Sequence, residues 1–420
     1  MNITVLGETK FASPIGHSVS DDLRIPENII IDPASPAKEE LTFELAGPRA
    51  KLFFDPANTR AGIVTCGGLC PGLNNVIRSL FLELHHAYGV KEVLGFRGGY
   101  QGLDPANGKE PIILTPEFVH NIHKEGGTVL GTSRGPVNIQ VAVDNLILRG
   151  INIIFTVGGD GTQRGGNELF QEARKRGHPL AVVGVPKTID NDVAFVTRTF
   201  GYMTAVSEAS RVLSNAHNEA ISVQNGIGLV KLMGRNAGFV VAGATVACQD
   251  VNFALLPEVP FKLDGPNGFL AALKERIVHR AHAVIVVAEG AGQDLFAADE
   301  LKKDDSGNIK AKDIGLFLRE SIEKYFKGEN IPVVIRYIDP SYIVRSSAAN
   351  SEDAILCDMF ARSAVHAAMA GKTGLVIGYM HDRFIHVPIE LLASRKKSMD
   401  PHSFQWKAVQ AATGQGVQFK

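Results

Sequence analysis

The sequence predicts an α/β protein with two doubly wound domains, parallel-type sheets covered by helices, preceded by an N-terminal extension. Three observations carry that expectation. Short apolar, β-branched runs recur without polar alternation: Ala61–Thr65, Ile151–Val157, Ala181–Val185, Gly226–Val230, Ala283–Ala288, Pro332–Ile335 and Gly374–Gly378. Such runs are strands buried on both faces, as in parallel sheets. Helical patterns stand between many of them, as in Leu73, Val76, Ile77, Leu80 and Leu84, spaced i, i+3, i+4. The third observation is glycine. It supplies 43 of 420 residues, about 10% against a typical ~7%, and the excess gathers where strands end. Repeated strand–helix units build doubly wound sheets, and seven strands call for two of them.

Taken in chain order, residues 1–57 differ from the rest. They carry Pro14, Pro26, Pro33 and Pro36, the β-prone piece Asn28–Ile31 and no helical period, and read as an extension packed on the main body or on a partner chain. The run Ala61–Thr65 then leads into Cys66-Gly67-Gly68-Leu69-Cys70-Pro71-Gly72-Leu73-Asn74. These residues form either a tight strand-to-helix turn or an anion site, since glycine admits close backbone approach and a helix N-terminus is partly positive. The run Ile151–Val157 ends in Gly158-Gly159-Asp160-Gly161-Thr162, where backbone can fold round phosphates and Asp160 can hold Mg²⁺ directly or through water. Ala181–Val185 ends in Pro186-Lys187-Thr188-Ile189-Asp190-Asn191-Asp192. If that loop is extended, Asp190 and Asp192 face one side; one carboxylate can take a proton from a hydroxyl while its neighbour binds metal or restrains it.

Three later strand ends add sugar-phosphate chemistry. Lys231-Leu232-Met233-Gly234-Arg235 offers a guanidinium, and Ala288-Glu289-Gly290 a carboxylate suited to sugar hydroxyls. Arg336, Tyr342 and Arg345 supply two forks and a phenol for a phosphate monoester, a group that arginine pairs bidentately.

Composition excludes other classes. Lys and Arg number 43 and Asp and Glu 44, so 43 − 44 leaves a formal charge of −1, against a partner such as nucleic acid or an anionic membrane. No apolar run reaches the ~18 residues of a membrane span, and no secretory pattern opens the chain. Cys66, Cys70, Cys248 and Cys357 are too few for a disulfide framework, and no second Cys or His pair joins Cys66 and Cys70 at metal-ligand spacing. Reduced thiols in a cytosol-like compartment are expected.

Read in order, TCGGLCPGLN, GTSRG (Gly131–Gly135), GGDGT, PKTIDND, KLMGR, AEG and YIVR (Tyr342–Arg345) resemble the phosphofructokinase family over roughly residues 58–395. The resemblance implies a nucleotide-binding α/β domain over 58–201 and 344–395, a fructose 6-phosphate-binding α/β domain over 202–343, and a tail over 396–420 with the single Trp406. It implies a glycolytic, cytoplasmic enzyme, a homotetramer or homodimer of an allosteric family, moving the γ-phosphoryl group of ATP to the 1-hydroxyl of fructose 6-phosphate with Mg²⁺. Matched residue by residue, Asp190 resembles the catalytic base, with Asp192, Thr188 and Lys187 beside it and Arg235 as the stabiliser of the transferring group. Gly68, Arg134, Gly135, Gly159, Asp160, Gly161 and Thr162 match the nucleotide-phosphate site, with Asp160 the magnesium-linked acid. Thr188, Asp190, Met233, Gly234, Arg235, Glu289, Arg336, Tyr342 and Arg345 match the fructose 6-phosphate site.

Donor choice turns on Gly161, where pyrophosphate enzymes of the family typically carry aspartate. Glycine leaves room for the α-phosphate of ATP. Lys187, where short bacterial ATP enzymes have glycine, is similar instead to a longer mixed-type branch that keeps Gly with Lys. Three departures stand out. Gly226 replaces an arginine that reaches a neighbouring subunit, Tyr342 replaces a histidine, and Arg78 keeps one effector arginine while Leu82 replaces the next, so that effector site is not carried over. The competing readings are a pyrophosphate-dependent enzyme and a non-catalytic sugar-phosphate sensor on the same fold. NAD kinase and the diacylglycerol kinases share GGDG-type loops without the other motifs.

Overall fold

The computed structural model describes residues 2–30, 41–133, 135, 137–296, 312–416 and 419. Pro33, Pro36 and Arg134 lie outside the described residues. Two compact units share the chain: Met1–Thr188, Val193–Gly201 and Ser347–Lys396 form the first, and Ile189–Asp192, Tyr202–Ser346 and Lys397–Lys420 the second. The chain therefore passes between units inside the PKTIDND loop, after Thr188.

The first unit is built on a nine-stranded sheet. Its five central strands run parallel in the order Leu375–Met380, Ala181–Pro186, Ile153–Gly158, Arg60–Thr65, Glu92–Arg97. Register pairs Gly184 with Thr156 and Ile63 with Phe155. Every residue of Ile153–Gly158 and Ala181–Pro186 is buried, which explains why these strands read as unbroken apolar runs. Antiparallel strands finish both edges, Lys109–Ile113 on one side and Arg383–Pro388, Thr42–Leu45 and Arg24–Pro26 on the other. The helix Leu73–Leu82 buries Leu73, Val76, Ile77 and Leu80, the stripe its spacing predicts, and Leu84 follows in a π-type turn.

The N-terminal extension is thus part of this unit, adding two strands to the sheet. A buried charge cluster fixes it there. Glu44 Oε1 accepts hydrogen bonds from Arg49 Nη2 at 2.6 Å and His386 Nδ1 at 2.9 Å, and Lys372 Nζ lies 2.6 Å away. Burial disfavours the Glu44 carboxylate, but the hydrogen bonds from His386 and Lys372 outweigh it and bring its pKa down to about 2. Burial pushes the pKa of His386 down, so a neutral ring donates through Nδ1. Glu44→Leu leaves Arg49 and Lys372, both nearly inaccessible, with only the exposed Asp21 as counter-ion among the described residues. Breaking a buried pair from one side costs about 3–5 kcal/mol, so the unfolding free energy should fall by that amount, read as a lower denaturant midpoint at unchanged slope. The sign with pH follows from the lowered pKa: this stability is present above the unfolded value near 4.5 and is lost as pH falls towards 2. The leucine variant should lose less stability than the parent over that window.

The second unit has a four-stranded, all-parallel sheet ordered Phe253–Leu255, His282–Ala288, Gly226–Leu232, Val334–Ile338. The carboxyl ends of the last three open directly into the KLMGR, AEG and YIVR segments. The tail belongs here: Met399, Trp406, Val409 and Phe419 lie in the core, with the helix Phe404–Thr413 capped by the Ser403 hydroxyl. Among the described residues, no helix is long and apolar enough to cross a membrane.

Candidate active site

In the first unit, three loops meet at the carboxyl ends of the central strands. Gly72 caps the helix Leu73–Leu82 with φ of 100°, and a Cβ there would stand 2.5 Å from Cys357 Sγ, so only glycine serves. Pro71 precedes that cap. The GTSRG segment is stitched to the first glycine loop: Thr132 Oγ1 donates to Gly67 O at 2.6 Å, and Gly67 N to Ser133 O at 3.3 Å. Gly135 sits nearby in sequence with φ of 104°.

Gly159 caps the helix Asp160–Lys175, placing Asp160, Gly161 and Thr162 in its first turn, with Asp160 and Gly161 exposed and Thr162 buried. The backbone amides of that turn have no helical partners and favour an anion. Sequence reading missed Gln163, the next residue. Its Nε2 lies 2.9 Å from Gly158 O, 3.3 Å from Thr156 O and 3.3 Å from Val185 O, tying together the two strand ends that carry the loops. Lys187 joins the loops as well: its backbone N–H donates to Gly158 O at 3.0 Å and its Nζ to Gly68 O at 2.7 Å. The ammonium is thereby fixed on the glycine loop, and burial pushes the neighbouring Cys66 thiol up to about 12. Thr188 O accepts from Thr199 Oγ1 at 2.7 Å.

Asp190 and Asp192 belong to the second unit, where Ile189 packs against the core. The loop is not extended at its centre. Asn191 is buried with φ of 57°, so the argument that places the two carboxylates on one side by a period of two does not hold. The left-handed residue between them sets their directions instead.

The sugar-phosphate candidates of this unit gather at its sheet's carboxyl edge. Met233 and Gly234 are buried, Arg235 half-buried. Burial raises the pKa of Glu289, while Arg235, Lys231 and Arg345 act against that rise, so the three cations surround this carboxylate electrostatically. Lys231, unassigned from the sequence, lies 2.8 Å from Asp313 Oδ2 and 2.9 Å from Asp339 Oδ2. Burial works against its ammonium, yet these hydrogen bonds carry its pKa well above the ordinary lysine value. Tyr337 Oη donates to Asp313 Oδ1 at 3.0 Å. This network braces the strand end beneath Met233–Arg235. On the helix Ser341–Ser346, the Arg345 guanidinium stacks 4.5 Å from the centroid of the exposed Tyr342 ring. Arg336 stands apart, with Nε 4.0 Å from Glu219 Oε2. Glu289 thus lies within electrostatic reach of Arg235 and Arg345, whereas Arg336 stands in a surface ion pair with Glu219.

No cluster of three or more His, Cys, Asp or Glu side chains suited to a metal occurs among the described residues. Asp160 alone, exposed at a helix N-terminus, fits Mg²⁺ in its usual manner, held by one or two carboxylates, waters and substrate phosphates.

The family model described as Phosphofructokinase matches residues 60–368. An ATP-dependent 6-phosphofructokinase of Borreliella burgdorferi is 47% identical over 388 residues, covering 91% of this chain and 87% of that protein. The enzyme of the same description from Amycolatopsis methanolica is 43% identical, covering 100% and 95%, and that of Entamoeba histolytica is 48% identical, covering 83% and 79%. The solved pyrophosphate-dependent phosphofructokinase of Marinobacter aquaeolei superposes with a TM-score of 0.71 at 19% identity, covering 86% of this chain and 93% of that one. At that identity the likeness is one of fold.

Proposed function

The chain belongs to the phosphofructokinase family, and from that premise we infer that it is an ATP-dependent 6-phosphofructokinase. It transfers the γ-phosphoryl group of ATP to the 1-hydroxyl of fructose 6-phosphate, giving fructose 1,6-bisphosphate and ADP in glycolysis. The observation that carries this is the 43–48% identity, across 83–100% of the chain, to three enzymes of that description.

The residue roles carry over from the family's motifs, and the chemistry agrees with them. The transition state is loose and highly charged, so catalysis is mainly positioning and charge neutralisation. Amides of Gly159, Asp160, Gly161 and Thr162, with Gly68, Arg134 and Gly135, would hold the nucleotide phosphates. Asp160 would hold Mg²⁺, which when bound would supply positive charge to the phosphoryl oxygens. Asp190 would take the proton of the 1-hydroxyl, with Thr188 and Asp192 orienting it, and Arg235 would face the transferring group. Lys187 fixes the glycine loop. Met233, Gly234 and Glu289 would receive the sugar, and Arg345, Tyr342 and Arg336 its 6-phosphate. The domain names follow the same assignment: residues 58–201 and 344–395 for nucleotide, 202–343 for sugar phosphate. A cytoplasmic, homotetrameric or homodimeric enzyme fits the four unlinked cysteines and the family.

Coupled assays with ATP or pyrophosphate at fixed fructose 6-phosphate test the reading. ADP release that depends on the sugar phosphate, with no turnover on pyrophosphate, is expected. Turnover on pyrophosphate alone would favour the second reading, for which Lys187 speaks. Glu289→Gln should raise the KM for fructose 6-phosphate about tenfold or more, the scale of one lost hydrogen bond to a charged group. Because burial raises the pKa of Glu289, its ionised form is lost as pH falls through a value above the ordinary one. The parent's KM should therefore rise on acidification more steeply than the variant's, which retains only the sugar phosphate's own ionisation near pH ~6.

A further inference from the structure

The catalytic loop Ile189–Asp192 is held within the second unit by residues that no motif covers. Asp192 O accepts the backbone N–H of Lys397 at 3.4 Å. The Lys397 ammonium lies 5.0 Å from the centroid of the Phe239 ring, and Phe239 opens the helix Phe239–Cys248 four residues after Arg235. The stitch continues two residues on. Glu258 takes the N–H of Gly238 with both carboxylate oxygens, at 3.0 and 3.1 Å, and its Oε1 also takes the N–H of Met399 at 2.8 Å. Glycine is required at 238, because a Cβ would stand 2.6 Å from Leu256 Cδ2 and 3.0 Å from Glu258 Oε2. Three segments remote in sequence, 189–192, 235–239 and 397–399, are therefore tied at one place.

We propose that Lys397 is a positioning residue for phosphoryl transfer, holding the Asp190–Asp192 loop in register with the segment that carries Arg235. The inference rests on the assignment of Asp190 as base and Arg235 as stabiliser. Charge contributes along with geometry. The Asp192 carboxylate favours the lysine's charged form against burial, which brings its pKa down to about 8, so the ammonium persists at neutral pH. Its cation–π contact with Phe239 gives the other end of the tie. Methionine can fill the volume and cover the ring but supplies no charge; arginine restores both charge and cation–π contact. A residue acting by packing alone would show the reverse preference, because methionine replaces the buried stem well.

The test uses the full chain with Lys397→Met, Lys397→Gln and Lys397→Arg, measured at saturating and varied ATP and fructose 6-phosphate, alongside thermal unfolding. For the methionine and glutamine variants kcat should fall about 10–100-fold, the scale of a sub-ångström to 1 Å misplacement. KM for ATP and Tm should stay near the parent values, and the arginine variant should recover most of kcat. Parent-like kcat in a folded methionine variant overturns the proposal. So does a loss confined to KM, a loss that arginine does not recover, or failure of all three variants to fold, which assigns the residue to packing. Asp190→Asn is run in parallel. If that variant turns over normally, the base assignment itself is wrong; if it is inert while Lys397→Met is normal, only the present inference fails.

Discussion

Replacing Asp190 by asparagine should remove turnover and leave fructose 6-phosphate binding nearly intact. The substitution keeps size and shape in a loop whose backbone is fixed at three points. These are Thr188 O by Thr199, Ile189 by the core, and Asp192 O by Lys397. Fold and sugar affinity are therefore expected to survive. What the substitution removes is the carboxylate proposed to accept the 1-hydroxyl proton. General-base contributions run to about 10²–10⁴, and an amide that donates to the hydroxyl would also misorient it, so a kcat reduction of at least about 10³ is expected. Steady-state assays read the loss, and calorimetric titration with fructose 6-phosphate reads the retained affinity. Parent-like rates would take the base role away from Asp190.

How far the sequence carries the reader depends on where each partner lies along the chain. Strands buried on both faces, such as Ile153–Gly158, announce themselves because nearly every position is apolar. The edge strands Lys109–Ile113 and Arg24–Pro26 do not, since a half-exposed edge tolerates charge and proline. The glycine loops are legible for a similar reason. A φ of 100° at Gly72 and the close approach of Thr162 to Gly158 admit few residue types, and the types themselves are the signal. Side chains that act through distant partners leave no such trace. Lys231 needs Asp313 and Asp339, about 80 and 110 residues away, and the Lys397 ammonium reaches back across some 160 residues to the Phe239 ring. Local pattern reasoning also fails where a single backbone angle intervenes. Spacing of two fixes a common face only for extended backbone, and Asn191 at φ of 57° is not extended.

The arrangement also separates two kinds of positive charge that a net charge of −1 conceals. Lys187 and Lys231 are committed to the protein, one to the Gly68 carbonyl and the other to two carboxylates. Such cations brace loops and lose little on ligand arrival. Arg235 and Arg345 instead act electrostatically on Glu289 at the carboxyl edge of the second sheet. Their charges oppose the rise that burial imposes on the Glu289 pKa, an effect that a low local dielectric enlarges.

Gly161→Asp should abolish use of ATP, and the structure isolates the reason. Gly161 is exposed in the first turn of its helix, and a Cβ there would meet nothing nearer than Arg164 Nη2 at 3.7 Å. The chain itself therefore accommodates aspartate. A carboxylate at that position even suits the helix dipole, so Tm should hold or rise, and Arg164 can anchor the new side chain toward the loop. The penalty falls on the donor. A carboxylate about 4 Å from a nucleotide phosphate costs on the order of 4 kcal/mol at an effective dielectric near 20, or about 10³-fold in kcat/KM for ATP. Gly161→Ala adds the Cβ without the charge, and should keep most ATP activity if repulsion decides and lose it if crowding does. Pyrophosphate has no α-phosphate bearing a nucleoside, so any residual turnover of the aspartate variant should shift towards it, with the fixed Lys187 ammonium available beside the loop. Full ATP activity in the folded aspartate variant would show that donor choice is made elsewhere in the chain.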